Sequence, residues 1–175
     1  VWLLLNGSGG GFKPIVGTLR GFARQLKVVV IPTKRGPYDK GPQENQETFV
    51  DGVWTIKVGD CARAWAKAVG KMFVPPDSSI HTLVIDGSNC RGPGGRIAGY
   101  GWICNGFEPL GTAMVKIAWV LNSKAGELLD ELDILDIFNL CGTILSSRRS
   151  AQIALLDSTN PRVFDFQKAK EGYFY

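Results

Sequence analysis

The segment Ile80 to Pro93 constrains the fold more than any other. Its strand-forming run Thr82-Leu83-Val84-Ile85 leads directly into Asp86, and Gly87, Ser88 and Asn89 then turn the backbone into a glycine-rich stretch. Side chains that are apolar on both faces fit a strand buried within a parallel sheet. In open α/β folds the carboxyl ends of such strands are where ligands bind, so Asp86 is placed where chemistry is expected. This pattern sets the expectation of an α/β protein.

Other segments extend the expectation. Trp2 to Leu5 reads as a buried strand entering the glycine turn Asn6 to Gly11, and Ile15, Leu19, Phe22, Ala23 and Leu26 fall at helical spacing after Pro14. Val28 to Ile31 is β-branched and completes a βαβ unit. Residues 32–48 are polar and rich in Gly, Pro, Gln and Glu, as an exposed loop would be. Phe49 to Val58 reads as extended, and Asp60 is placed to cap a helix over Cys61 to Phe73. Pro75-Pro76 marks a boundary, giving an N-terminal α/β segment at 1–75, a linker at 76–79 and a second domain at 80–175.

Within that second part, Gly94 to Phe107 has helical spacing weakened by glycines. Val115 to Leu121 reads as a buried strand and Glu127 to Leu140 as an amphipathic helix stopped at Gly142. Ile153 to Leu156 reads as a strand running into Asp157, with a short helix at Arg162 to Lys170 and a strand from Tyr173. Leu3 to Ser8 echoes Leu83 to Ser88, with Asn6 where the second copy has Asp86, so 1–75 could be a degenerate repeat or chance likeness.

Composition narrows the function classes. The 175 residues are 45% hydrophobic and 21% charged, as in a globular protein, and the net charge of +4 permits a nucleic-acid partner without requiring one. No apolar stretch reaches the roughly 18 residues of a membrane span, so no membrane partner is expected. Four cysteines without a CxxC pair and a single histidine, His81, argue against zinc and for a reducing, intracellular compartment, cytoplasmic or nuclear.

Asp86 and Asp157 each follow a hydrophobic strand. In one parallel sheet they would open on the same edge and could bind a hard divalent cation, Mg²⁺ or Mn²⁺, able to activate water at a phosphodiester. Spacing alone favours the simpler reading that each Asp caps the turn or helix that follows it.

Val84-Ile85-Asp86-Gly87-Ser88-Asn89 resembles the hallmark strand and turn of NYN domains, the PIN-like fold of Zc3h12a-type (Regnase-like) endoribonucleases. The later order is similar too: strand, helix, Thr143-Ile144-Leu145-Ser146-Ser147-Arg148-Arg149, then a strand delivering Asp157. The resemblance implies a three-layer parallel sheet and a metal-dependent endoribonuclease acting on RNA, with Asp86 and Asp157 as catalytic metal ligands. It implies that Ser88, Asn89, Arg148 and Arg149 meet substrate. Ser158 stands where that family usually has a second acid, and its remaining acids would follow Tyr175, so the expected domain is incomplete at its carboxyl end.

Three alternatives remain at this level. A ribonuclease H-like enzyme would use Asp86, Glu127 and Asp157. A non-catalytic interaction module derived from a nuclease fits Asn6 and Ser158. An α/β-hydrolase is disfavoured, because Ser88 lacks the G-x-S-x-G elbow and His81 precedes it.

Overall fold

In the computed structural model, described for residues 1–98, 101–144, 152–169 and 171, the chain is α/β with two sheets. The elements are α1 (Trp2–Leu5), β1 (Gly10–Phe12), β2 (Lys27–Ile31), β3 (Gln46–Val50), β4 (Val53–Lys57), α2 (Ala62–Lys71), β5 (Thr82–Asp86), α3 (Glu108–Ser123), α4 (Glu131–Gly142), β6 (Gln152–Ala154) and α5 (Val163–Lys168). The larger sheet has the order β2-β5-β4-β3, and β1 pairs with β6 in a separate two-stranded sheet.

The organising strand is central. β5 pairs in parallel with β2 on one side and β4 on the other. Leu83 and Ile85 are fully buried with Trp54 and Ile56 of β4, while the alternate residues Thr82, Val84 and Asp86 are half-buried. One face of the sheet thus carries the core, against Trp65 and Val69 of α2 and Leu110, Met114 and Ile117 of α3. The expected three-layer, all-parallel arrangement gives way to a mixed sheet, because β3 runs antiparallel to β4. Asp51 and Gly52, at φ 50° and 75°, form the tight turn between them, and Asp-Gly is the dipeptide such hairpins favour.

Several expected elements are replaced. Trp2–Leu5 is a single helical turn, closed by the Asn6 side chain on the Trp2 carbonyl at 2.8 Å. No helix forms over 14–26. There Gly17 adopts φ 96°, and the backbone bonds to the α3–α4 connection instead, with Gly21 N–H on the Glu127 carbonyl at 3.0 Å and Phe22 N–H on that of Leu121 at 3.0 Å. Nor is there a helix among the described residues of 94–107, where Arg96 and Ile103 make an isolated bridge. Val115–Leu121, expected as a strand, belongs to α3: Pro109 sits in its first turn, and Leu110, Met114, Ile117, Ala118 and Leu121 recur at helical spacing on the buried face. Ile153–Leu156 contracts to β6, which pairs with β1 in register Gly10–Gln152 to Phe12–Ala154. Strands on either side of the 76–79 turn therefore share sheets.

The helix expected at 127–140 is present as α4. Asp130 caps it, accepting from Leu132 and Asp133 N–H, both at 2.9 Å, while Asp133 accepts from Asp130 N–H at 2.9 Å. No helix among the described residues is long and apolar enough to cross a membrane.

Candidate functional site

The carboxyl ends of β2, β4 and β5 lie side by side, and the loops leaving them interlock. Gly87 N–H bonds the Ile31 carbonyl at 2.8 Å and Val58 N–H that of Asp86 at 2.8 Å. Thr33 Oγ1 donates to the Cys90 carbonyl, and Arg35 Nε to that of Ser88 at 3.1 Å. A Cβ on Gly41 would collide with the Asn89 carbonyl oxygen, and one on Gly95 with that of Pro37. Only glycine lets these backbones touch.

Beneath the loops, beside β2 and α3, runs a groove of about 480 Å³. Val30, Pro32, Phe107 and Val115 make its apolar floor, Thr33 and Thr112 add hydroxyls, and Lys116 and Glu108 stand at the rim. Trp119, 61% exposed, also lines the groove. The size suits a nucleoside-sized molecule.

The most buried charge at this edge is Asp60, 4% exposed. Arg91 Nε donates to its two oxygens at 3.1 and 3.0 Å, and Gly41 N–H adds a bond at 3.2 Å. Nearby, burial first and the Asp60 charge second push the Cys90 thiol up to about 12, so it is inert. The expected capping role of Asp60 falls instead to Cys61, whose Sγ accepts from Ala64 N–H at 3.4 Å.

The residues expected to form a metal site do not come from one sheet edge. Asp86 ends β5 of the four-stranded sheet, and Asp157 follows β6 of the two-stranded sheet. Each carboxylate serves its own turn: Asp86 accepts from Ser88 N–H at 2.8 Å, and Asp157 from Thr159 N–H at 2.9 Å and its hydroxyl at 2.8 Å. The Thr159 bonds, with minor help from Lys13, hold the exposed Asp157 carboxyl below its ordinary value. Among the described residues no three His, Cys, Asp or Glu side chains cluster as metal ligands would. Asn89 is buried in the turn, and Ser88 is half-buried there. Arg148, Arg149 and the strand expected from Tyr173 lie outside the described residues. His81 sits at the other end of β5, on Thr82 Oγ1 at 2.8 Å and the Asp51 carbonyl at 3.1 Å.

No family model matches the chain. Curated relatives do: a protein of Lactobacillus helveticus is 28% identical over 194 aligned positions, covering 98% of this chain and 26% of the relative. One from Lactobacillus gasseri is 35% identical over 78% of the chain and 19% of its own length. The likeness is to adenosylcobalamin-dependent ribonucleoside-triphosphate reductases. A Dictyostelium discoideum protein described as a probable reductase of that kind is 28% identical over 63% of the chain and 15% of its own length. The crystal structure of a B-12 dependent (class II) ribonucleotide reductase superposes with a TM-score of 0.75 at 22% identity, over 98% of this chain and 26% of that one. That superposition shows a shared fold, and the chain aligns with between 15% and 26% of the length of these proteins.

These findings overturn the nuclease reading. The DGSN turn is not that of an NYN or Regnase-like domain, and a chain aligned almost end to end with reductases is not assigned RNA cleavage, whether PIN-like or ribonuclease H-like. A hydrolase is equally unsupported. The relatives' names specify adenosylcobalamin, not Mg²⁺ or Mn²⁺.

Sequence reasoning gave Asp60 only a capping role and passed over Arg91, Lys116 and Trp119. For Lys116 and Trp119 a signal existed: the spacing Glu108, Thr112, Lys116, Trp119 is helical, but the β-branched residues between them suggested a strand. For Asp60 and Arg91, 31 residues apart, nothing local could have paired them.

Proposed function

We propose that this chain is one segment of an adenosylcobalamin-dependent ribonucleoside-triphosphate reductase, contributing a wall against which nucleotide is held. The observation that carries this is the alignment of 98% of the chain with a reductase of that name. Adenosylcobalamin supplies radical chemistry where it is bound. The described residues do not fit it: a corrin ring with its nucleotide tail far exceeds the 480 Å³ groove, and His81, the sole imidazole, is held at the opposite end of β5. No step is therefore assigned to the cofactor here.

What this chain's own residues offer is binding and orientation. A base stacked on Trp119 would meet the apolar floor of Val30 and Val115, and the Lys116 ammonium would pair with phosphate at the rim. Asp86, Ser88, Asn89 and Asp157 enter this reading as turn residues that shape loops, not as ligands to metal.

The test is an assay of the complete polypeptide with ribonucleoside triphosphate, adenosylcobalamin and a dithiol reductant. Deoxyribonucleotide should form, and Lys116→Met should raise KM about three- to tenfold with little change in kcat. Hydrolysis of RNA without any deoxyribonucleotide product would overturn the proposal.

A further inference from the structure

Asp60 and Arg91 lie outside the groove, yet they join the parts that form its mouth. The Asp60 carboxylate takes Gly41 N–H, Arg91 N–H at 3.3 Å and Arg91 Nε, and Asp60 N–H bonds the Pro42 carbonyl at 2.8 Å. One buried side chain thus ties together the loop after β2, the start of α2 and the glycine-rich segment after β5. That segment, Arg91-Gly92-Pro93-Gly94-Gly95, has few side chains with which to hold itself, and glycine has the largest conformational entropy to lose. Gly92 N–H reaches the Gly36 carbonyl at 3.2 Å, and Pro93 lines the groove.

A carboxylate this buried is strongly unfavourable without its partner, and Arg91, 18% exposed, supplies it. A buried pair so placed can fix one loop arrangement among the several open to a glycine-rich segment.

We infer that Asp60 is a positioning residue, whose ion pair with Arg91 holds the glycine-rich segment against the loop after β2 and so sets the mouth of the groove. The kinetic part of this rests on the nucleotide reading above, and the structural part does not.

Hydrogen exchange on the full chain tests it. In Asp60→Asn, amides of residues 35–42 and 91–98 should exchange about tenfold or more faster while α3 and α4 keep their protection. The double variant Asp60→Asn, Arg91→Met strands no buried charge, so it folds even where the single variant does not. It should show the same local acceleration and no more, because the two residues act as one unit. In the complete polypeptide, Asp60→Asn should raise KM for ribonucleoside triphosphate about tenfold and change kcat less than about twofold.

Unchanged exchange in the two loops, acceleration spread equally through α3 and α4, or a fall in kcat at constant KM would overturn the inference. Local acceleration in a polypeptide that reduces no nucleotide would sink the reductase reading and leave the positioning role standing.

Discussion

The two sheets of this protein both contain parallel pairs, the larger adding one antiparallel strand, and they differ in what makes pairing durable. In the four-stranded sheet, β5 has a partner on each side, and Trp54, Ile56, Leu83 and Ile85 are sealed beneath two helices. In the two-stranded sheet each strand has three residues and one partner, and Ile153 is 64% exposed. Among the described residues, Phe12 of this sheet stacks on Phe138 of α4, with centroids 3.8 Å apart. Backbone hydrogen bonds alone contribute little net stability, and two strands without a buried face are marginal. Packing, not pairing, separates the two regions.

Substitution should expose that contrast. Trp54→Ala empties the centre of the four-stranded core and should cost about 3–5 kcal/mol, measured by denaturant unfolding. It should also open Cys90 to alkylation, whereas in the parent chain half-buried Cys61 labels and Cys90, pushed up to about 12, does not. A loss below about 1 kcal/mol would break the claim that this sheet carries the stability.

Acid should act at the start of α4. Partial burial pushes the Asp130 carboxyl up, but the Asp133 backbone N–H, the Arg162 guanidinium and the Lys124 charge outweigh it and hold it at about 2. A depressed folded value means stability that is present above the ordinary aspartate range and lost as pH falls from about 4 to about 2. Helix α4 and its contact with α5 should therefore loosen in that window, read by circular dichroism, while Arg162→Met, which removes the 2.8 Å bond to Asp130, should move the loss to higher pH.

Smaller effects complete the comparison. Phe138→Ala removes the ring stack and should cost about 1–2 kcal/mol, with faster exchange confined to β1 and β6. Ile153→Ser, on the open face, should stay within about 0.5 kcal/mol of the parent. A large loss there would mean that this face is covered in solution.

The resemblance to NYN domains shows how far local pattern carries. Val84-Ile85-Asp86-Gly87 was correctly read as a strand delivering an acid to a sheet edge, because a buried parallel strand needs an unbroken apolar run and a tight turn needs glycine. The second acid was placed by assuming that β6 joins the same sheet, and no residue in Ile153 to Asp157 says which strand it pairs with. The α3 error has a related cause. Val115 to Leu121 is strand-like over seven residues and helical over sixteen, and the longer period decides once Leu110, Met114, Ile117 and Leu121 have a sheet to pack on.

By itself the sequence determined the α/β class, the strands at β2 and β5, the helices α2 and α4, and the glycine-rich turn that follows Asp86. These follow from short-range forces: hydrophobic period, capping and the conformational freedom of glycine. Tertiary structure alone decided that β1 pairs with β6, that Asp86 and Asp157 end different sheets, and that Asp60 closes on Arg91. Those choices depend on which distant surfaces bury one another, and that free energy is set by the assembled core rather than by any single stretch of chain.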